Sequence, residues 1–477
     1  MSPPIRSRST PGQPNQPGKP SSTLHRPDNN RLARDAGPAT ASPPAAPIIE
    51  GELPRVMVAR AGDHPDIHRL LLAVFQGPSS SEFHALHDEP LYEPSDRLLV
   101  KCGPRTVSHV HLTKRVVHLG SLLVPTSGLA HLATMPGYHD RGYASTLLAR
   151  ADRQMVKDGA VLGMIRTRHP RFMLRAGWGV CGRHCYSLAS PRDILSQLRT
   201  GHTEPTVFGS DERPLNIRIW RRVEQAALVR LYGQDSIGRF GPLVRSEAHW
   251  QWLISRGAFD RIYVAMDGPD RSDLHECNRS IVGYAVMNEH RLLELVTSPT
   301  HPSAGVQLLV RACGDAIERD HHTLRLDAPP DDPAHQLFTA AGGGYVHDES
   351  DRGEVFLVKL WDPIRLLSML GNQLHARAKA AALPRPAKLG LRLGGETYRL
   401  VLSGRSVRVR PGKLGRSYLA CEVPAFTQLI LGHLTVREGV ETGRLEASTR
   451  VAEQMAAVLF PPLPLWRPPL DDLPAAR

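Results

Sequence analysis

The sequence is poor in the features that mark secreted and membrane proteins. Its six cysteines are spread over 477 residues, which fits reduced thiols and excludes a dense disulfide framework. No apolar run approaches the roughly 20 residues that span a bilayer. The basic residues near the N-terminus are not followed by the apolar segment of a signal peptide. We therefore expect a cytoplasmic protein without a membrane anchor.

The sequence also offers little to a metal ion or a nucleic acid. Cys181 and Cys185 bracket His184, but no second Cys/His pair follows at zinc-finger spacing, so no metal is expected. The net charge of +12 would suit nucleic-acid binding by counterion release. The basic residues are mostly arginines scattered through every segment, however, and no basic patch is interleaved with aromatics. A solvated basic surface is the favoured interpretation.

Composition and length divide the chain into a tail and about three domains. Residues 1–53 are rich in Pro, Ser, Asn and Arg without apolar periodicity, which predicts a disordered tail. Residues 54–200 and 214–361 each show strands alternating with helices in the same order, and residues 201–213 are a polar linker. Residues 362–477 combine strand hairpins with flanking helices, which predicts an α+β sheet domain.

Several element boundaries can be predicted from periodicity. In the first domain the pattern predicts helices at His64–Phe75 and Ser145–Val156, and strands at Leu98–Lys101, Val107–Leu112, Val116–Val124 and Leu132–Thr134. Residues 79–96 are rich in charged and polar side chains and are expected to form a loop. In the last domain the pattern predicts one helix over Ile364–Ala382.

The most informative segment is His131–Ala144, HLATMPGYHDRGYA. It places an apolar strand, a turn containing Gly142, and a helix in succession. The first N–H groups of a helix have no intrahelical partner and carry the positive end of the helix dipole, so they can bind phosphate. Small residues at the turn let the backbone approach a ligand closely. About thirty residues later follows Arg171–Gly179, RFMLRAGWG.

These two segments together resemble the signatures of GCN5-related N-acetyltransferases (GNATs). His139-x-x-Gly142-x-Ala144 is similar to their pyrophosphate-binding pattern, (Gln/Arg)-x-x-Gly-x-(Gly/Ala), and FMLRAGW is similar to their second signature. The resemblance implies an acetyltransferase that uses acetyl-coenzyme A (acetyl-CoA). The loop Ser298–Val306 of the second domain lacks the glycine pair and carries two prolines, which remove backbone donors. That domain is expected not to bind the coenzyme.

The whole chain resembles the enhanced intracellular survival (Eis) type of acetyltransferase. The matches include AHWQWL at Ala248–Leu253, AFTQLILG at Ala425–Gly432 and LFPPLPLW at Leu459–Trp466. This resemblance implies two tandem GNAT folds, each a mixed sheet flanked by helices, and a C-terminal α+β domain similar to sterol carrier proteins. It implies that the last domain packs against the first and shapes the substrate pocket. It also implies a homo-oligomer, typically a hexamer.

The family resemblance implies a set of coenzyme-binding residues. The strand end Leu132–Thr134 would offer backbone groups to the pantetheine arm, and the following loop and helix start would surround the pyrophosphate. The complete set is Leu132, Ala133, Thr134, His139, Asp140, Arg141, Gly142, Tyr143, Ala144, Ser145, Arg168 and His169.

The acceptor amine is expected to bind near residues 79–96, on the acceptor side of GNAT clefts. Carboxylates and imidazoles there can attract a cationic amine and accept its proton. The candidates are Glu82, His84, His87, Asp88 and Glu89, for which plain solvation is the competing interpretation.

Two departures from the family concern catalysis. The family places a proton-donating Tyr where this chain has Met173, which has no proton to donate. The family uses its terminal carboxylate as a base, and here that position is Arg477 in a polar segment. Three hypotheses follow: an N-acetyltransferase of small-molecule or peptide amines, a coenzyme-binding sensor or scaffold without useful turnover, and, least favoured, a nucleic-acid- or partner-binding protein.

Overall fold

The structure is a computed structural model that describes residues 55–200, 214–257, 259–269, 273–347 and 354–472. The predicted tail, the linker at 201–213 and Arg477 lie outside these residues. Among the described residues, no helix is both long and apolar enough to cross a membrane.

The first described segment, residues 55–200, alternates strands and helices. Its first helix, α1 (His64–Phe75), has Pro65 in the first turn, where a missing N–H costs nothing, and buries Ile67, Leu70 and Leu71 along one face. The strands are β1 Val56–Val58, β2 Arg97–Cys102, β3 Arg105–Leu119, β4 Leu122–Thr134, β5 Leu162–Thr167, β6 Gly179–Arg183 and β7 Cys185–Ala189. The helices are α1 His64–Phe75, α2 Ser80–Ala85, α3 Tyr143–Lys157, α4 Arg171–Arg175 and α5 Pro191–Thr200.

The second segment, residues 214–360, repeats this alternation. Its strands are β8 Asn216–Ile219, β9 Phe240–Leu243, β10 Arg261–Met266, β11 Ile281–Asn288, β12 Arg291–Thr297, β13 Leu324–Leu326, β14 Gly344–His347 and β15 Val355–Leu360. Its helices are α6 Gln225–Ser236, α7 Glu247–Ser255, α8 Leu274–Ser280, α9 Ala304–Glu318 and α10 Ala334–Ala340.

The two segments exchange strands between their sheets. The first sheet has the order β1-β2-β3-β4-β5-β15-β6, with β9 also paired to β3, and the second has the order β14-β7-β13-β12-β11-β10-β8. Strand β15 thus comes from the second segment but lies between β5 and β6 of the first sheet, antiparallel to both. Conversely, β7 pairs with β13 and β14. A boundary at residues 200–214 therefore divides the chain by sequence, but each of the two sheets contains strands from both sides of it.

The last segment forms a third sheet that packs on the first. Its elements are α11 Pro363–Met369, α12 Gly371–Ala380, β16 Ala387–Leu393, β17 Glu396–Leu402, β18 Val407–Pro411, β19 Tyr418–Cys421, α13 Val423–Ile430, α14 Val436–Glu441, β20 Leu445–Ala447 and α15 Arg450–Leu459. One apolar core joins Leu162 and Val358 of the first sheet to Phe426 and Phe460 of this segment. The Gln428 side chain also donates a hydrogen bond to the Val180 carbonyl at 2.7 Å.

The predicted mixed α/β architecture, with sheets flanked by helices, is confirmed, but three local predictions are wrong. Val116–Val124 is not one strand, because a turn at Gly120, with φ of +66°, separates β3 from β4. The predicted helix Ile364–Ala382 is divided at Leu370 into α11 and α12. The expected loop at 79–96 contains helix α2, which begins with a capping box between Ser79 and Glu82.

Candidate active site

The candidate site begins where two parallel strands separate. Strands β4 and β5 pair only from Thr126 to Gly128, opposite Leu162 to Met164. Beyond Gly128, β4 continues to Thr134 along β3 alone, so its other edge has backbone N–H and C=O groups that no β5 partner uses. These groups are available to a ligand inserted between the strands.

A bulge reshapes the end of β4. The register between β3 and β4 shifts between His109 and His111, and His131 has a left-handed φ of +53°. Past the bulge, Ser108 donates a hydrogen bond to the Ala133 carbonyl at 3.0 Å. The bulge therefore redirects His131 while β3 keeps the strand end in place.

The N-terminus of α3 is open where the sequence predicts a phosphate site. The first intrahelical hydrogen bond runs from the Thr146 N–H to the Gly142 carbonyl, so the N–H groups of residues 143–145 have no partner in the helix. The N-cap residue, Gly142, has no side chain to cap them, and its φ of +77° suits glycine. A Cβ built at Gly142 would meet no atom within 4 Å, so the space beside this turn is open.

This turn borders a cleft of about 920 Å³, called the coenzyme cleft below. His139 fixes the turn to β4 through a 2.8 Å hydrogen bond between its Nε2 and the Thr134 carbonyl. The cleft is lined by Val74, Leu132, Ala133, Thr134, Tyr138, His139, Asp140, Gly142, Tyr143, Ala144, Ser145, Leu148, Ala149, Asp152, Phe172, Arg175 and Ala176. It has the open donors and the room that a pyrophosphate and its attached arm require.

Most residues predicted to bind the coenzyme lie together in this cleft, with three exceptions. The Arg141 guanidinium lies 5.1 Å from the centre of the Tyr138 ring and does not line the cleft. Arg168 is exposed and lines neither this cleft nor the adjoining cavity described below. His169 lines the adjoining cavity but not this cleft. Tyr143 lines the cleft but is buried, with its hydroxyl 3.8 Å from the Cys102 Sγ.

A second cavity of about 620 Å³, called the acceptor cavity below, adjoins the coenzyme cleft. Leu132 and Phe172 line both spaces, so the two meet at the end of β4. The cavity is lined by Phe75, Pro78, Glu82, Ala85, Leu86, Glu89, His111, Thr113, Arg115, Gly128, Leu129, Ala130, His131, Leu132, Met164, Ile165, Arg166, Thr167, His169, Phe172, Met173, Trp252, Arg256, Arg467, Asp471 and Asp472. All three segments of the chain therefore contribute to it.

Of the five predicted acceptor residues, only Glu82 and Glu89 line this cavity. The His84 Nδ1 hydrogen-bonds to the Ser80 carbonyl, 2.6 Å away, and the side chain is exposed. The His87 ring stacks on His64, with ring centres 4.2 Å apart, and burial lowers the pKa of His87 to about 4.

Asp88, the last of the five, faces elsewhere. It lines a separate surface depression beside Arg222 and Gln251. Although residues 79–96 are contiguous, helix α2 and the turn after it thus distribute their polar side chains over different surfaces.

Two acidic residues of the acceptor cavity, Glu89 and Asp472, form ion pairs with arginines. Glu89 is paired with Arg115. Arg467 donates two hydrogen bonds to Asp472, at 2.8 and 2.6 Å. The cavity thus contains compensated charges and not a bare acidic surface.

A buried network attaches the C-terminal arm, residues 467–472, to the second segment. Arg245 donates two hydrogen bonds to Asp471, at 2.8 and 3.0 Å, and also pairs with Glu294. Burial would raise the pKa of Asp471, but the charge and hydrogen bonds of Arg245, with His249 nearby, outweigh it and hold that pKa well below its ordinary value. The network keeps Asp471 and Asp472 at the cavity.

Two neutral imidazoles line the cavity beside β4. The rings of His111 and His131 stack at 6.4 Å, and the Nδ1 atom of each is buried without a hydrogen-bond partner. Burial, with repulsion from Arg97, lowers the pKa of His131 to about 4. His131 is therefore uncharged at neutral pH.

Met173 lies in α4 and lines the acceptor cavity, with 5% of its surface exposed. Met173 follows Phe172, which lines both spaces. Cys181, His184 and Cys185 do not converge on a metal site: His184 instead bonds Asp327 at 2.9 Å. The part of the chain that the structure describes has no group of three or more His, Cys, Asp or Glu placed to hold a metal ion.

The resemblance implied that the last domain shapes the substrate pocket, but it did not identify the residues that the later segments contribute to the cavity. Trp252 donates a hydrogen bond from Nε1 to the Ala85 carbonyl at 2.8 Å, which joins α7 to α2. Trp252 belongs to AHWQWL, and Arg467 directly follows LFPPLPLW. Both segments supported the family resemblance. The positions of Trp252 and Arg467 in the cavity were not predicted, because their approach to residues 82–89 depends on tertiary structure.

Comparisons with known proteins agree with this architecture. Residues 55–181 match the acetyltransferase (GNAT) domain family. The fold is similar to a GCN5-related N-acetyltransferase from Anabaena variabilis, at 16% identity over 87% of this chain and 98% of that one, with a TM-score of 0.64. A search of curated proteins finds no significant match.

Two further solved structures share the fold. A GCN5-related N-acetyltransferase from Kribbella flavida matches with 15% identity over 87% of this chain and 97% of that one, with a TM-score of 0.62. Eis1 from Mycobacterium abscessus matches with 16% identity over 85% of this chain and 97% of that one, with a TM-score of 0.58. The chain thus contains a GNAT acetyltransferase domain at residues 55–181 and shares the fold of these three proteins over 85–87% of its length.

Proposed function

We propose that this protein is an acetyl-CoA-dependent N-acetyltransferase that acts on a primary amine of a small molecule or peptide, as Eis-type enzymes do. The observation that supports this most is the adjacency of two spaces at the split between β4 and β5. One lies beside an uncapped helix N-terminus and the other collects ionisable groups from all three segments. A donor and an acceptor bound in them would meet at Leu132 and Phe172.

On this proposal, acetyl-CoA would be held by the start of α3 and by those backbone groups of Leu132–Thr134 that β3, Ser108 and His139 do not bind. The N–H groups of residues 143–145 would bind its pyrophosphate. The coenzyme would supply an acetyl thioester, and a backbone N–H at the end of β4 would polarise its carbonyl. Of the twelve residues that the resemblance implied, we retain those that line the cleft.

His131 is our candidate for the group that accepts the proton of the attacking amine. It directly precedes Leu132, lines the acceptor cavity and is half-buried and neutral. The carboxylates Glu89 and Asp472 are less available because Arg115 and Arg467 already bind them.

Met173 supplies no proton for the leaving thiolate. Coenzyme A thiolate is a tolerable leaving group, so we expect slower turnover, by up to the 10²–10⁴-fold typical of a general acid. Met173 also favours the alternative of a coenzyme-binding sensor or scaffold. Arg477, the terminal position, lies outside the described residues.

The larger organisation is part of the proposal. We keep 54–200 and 214–361 as tandem GNAT-like units, with strands exchanged between them, and 362–477 as a sterol-carrier-like unit that completes the acceptor side. A homo-oligomer, a hexamer by family resemblance, and a cytoplasmic location remain predictions.

The test combines thiol release with identification of the product by mass. Purified protein is mixed with acetyl-CoA and a panel of polyamines, lysine peptides, amino acids and aminoglycosides. Amine-dependent thiol release with a product 42 Da heavier than the amine, the mass added by replacing a hydrogen with an acetyl group, supports the proposal. Acetyl-CoA binding with no acetylated product would instead favour the sensor or scaffold.

A further inference from the structure

The carboxylates of the acceptor cavity leave little for a polycationic amine to bind. Those that line it are Glu82, Glu89, Asp471 and Asp472, and each has a hydrogen-bond or ion-pair partner within the protein. Arg115 already pairs with Glu89, Arg245 with Asp471 and Arg467 with Asp472, so a substrate with several ammonium groups would compete with a guanidinium group for three of the four carboxylates. The cavity is therefore poorly suited to select for positive charge.

Arg256 differs from these paired groups. It is half-buried at the end of α7 and lines the acceptor cavity, yet it forms no ion pair with a carboxylate of the described residues. Its guanidinium lies over the Trp252 ring, 4.3 Å from the centre, and donates to the Leu470 carbonyl. Its Nε is buried without a hydrogen-bond partner.

The position of Arg256 is held by these contacts and not by an anion. The Trp252 ring and the Leu470 carbonyl set the direction of the guanidinium plane, which leaves donors of a planar, forked group unused. Burial lowers the pKa of Arg256 to about 10, with nearby Asp471 opposing the shift, so the group stays charged at neutral pH.

A second guanidinium in the cavity lining is also incompletely paired. The side chain of Arg166 is 5% exposed, and its nearest carboxylate oxygens, on Glu354 and Asp472, lie 3.7 Å from Nε. Its Nε and Nη1 have no hydrogen-bond partner. The cavity therefore combines partnered carboxylates, three of them paired with arginines, with guanidinium N–H groups that have no partner, which is the reverse of a polycation site.

We propose that the acceptor cavity selects amines that also carry a carboxylate, and that Arg256 binds this carboxylate. The acceptor class is thus amino acids or peptides that present a carboxylate near the reactive amine. This inference rests on the proposed function and narrows its substrate class.

The experiment compares amino acids with the amines formed by removing their carboxyl group. Lysine and cadaverine, ornithine and putrescine, and tryptophan and tryptamine are the three pairs. A charge-assisted hydrogen bond predicts a kcat/KM for thiol release about 10- to 100-fold higher for the amino acid in at least one pair. Equal values in all pairs, or a preference for the decarboxylated amines, would overturn the inference.

Variants identify the residue responsible. Arg256→Gln keeps a donor for the Leu470 carbonyl but removes the charge, so the preference should fall to within about threefold of unity. Arg256→Lys should restore part of it. Arg437→Gln is the matched control: it removes one positive charge from a side chain of α14 that is 83% exposed, and it should leave the preference unchanged.

A binding measurement separates this inference from the proposed function. If acetyl-CoA binds but no amine gives thiol release, the proposed acetyl transfer fails. The same amine pairs are then titrated into the protein saturated with coenzyme A. Tighter binding of an amino acid that is lost in Arg256→Gln supports the carboxylate site, and equal binding within every pair refutes it.

Discussion

Gly142 provides the sharpest test of the coenzyme cleft. It is the N-cap of α3, has a φ of +77° and lines the cleft, and a Cβ there would meet no atom within 4 Å. Gly142→Trp therefore has room to fold, but its indole would occupy the space in front of the open N–H groups of the helix. We expect acetyl-CoA binding to be lost while the protein stays folded.

The expected loss of acetyl-CoA affinity has two contributions, backbone strain and steric exclusion. An L-residue in the left-handed conformation costs about 1–2 kcal/mol. If the free loop relieves this strain, binding must restore it, which weakens affinity by roughly 5- to 30-fold. Gly142→Ala carries the strain without the bulk, so it should show at most this loss, whereas Gly142→Trp adds steric exclusion and should weaken binding further.

Gly137 supplies the matched control. It is exposed, lies in the same loop and also has no atom within 4 Å of a built Cβ, but it does not have a left-handed φ and does not line the cleft. Calorimetric titration should give wild-type affinity for Gly137→Trp. Unchanged affinity in Gly142→Trp, or an equal loss in both variants, would refute the assignment of the loop.

Three further predictions concern catalysis and stability. Met173→Tyr should raise kcat for thiol release because it adds a phenol beside the junction of the two spaces; Met173→Phe, which lacks the hydroxyl, should not. His131→Gly, which suits the φ of +53°, should lower kcat by about 10²–10⁴-fold with unchanged acetyl-CoA affinity, and added imidazole should restore part of it; full activity without imidazole would exclude His131 as the base. Asp471→Asn should destabilise the protein by about 3 kcal/mol in thermal melting, because it removes a buried partner of Arg245. Since the pKa of Asp471 is lowered on folding, its contribution is present above the ordinary carboxyl value near 3.9 and is lost as the pH falls below it, so acid should destabilise the wild type more than Asp471→Asn.

Local pattern predicted the elements that carry the coenzyme cleft. Helix α1 has the predicted bounds, and α3 starts two residues before the predicted Ser145, because Gly142 ends the preceding turn. The turn at Gly120 was missed because the apolar residues of β3 and β4 run together across it. Helix α2 was missed because its charged residues suggested a loop, although Ser79 and Glu82 had the spacing of a capping box.

The residues that the later segments contribute to the acceptor cavity could not be predicted from local pattern, because they reach it only through long-range packing. Strand β15 pairs with β5 and β6, which are distant from it in sequence, and local periodicity does not predict such partners. Trp252 and Asp471 reach the cavity only after the second segment and the C-terminal arm have packed. The same packing separates His87 and Asp88 from Glu89, their neighbour in sequence.

The most direct test of the coenzyme cleft is calorimetric titration of the full chain with acetyl-CoA, beside a titration of Gly142→Trp. We expect saturable binding at one site per chain, lost in the variant, because the proposed pyrophosphate site is the open N-terminus of α3 beside Gly142, and the loop Ser298–Val306 lacks the glycine pair. Absence of binding by the wild-type protein would contradict the assignment of the coenzyme cleft and the proposed function with it.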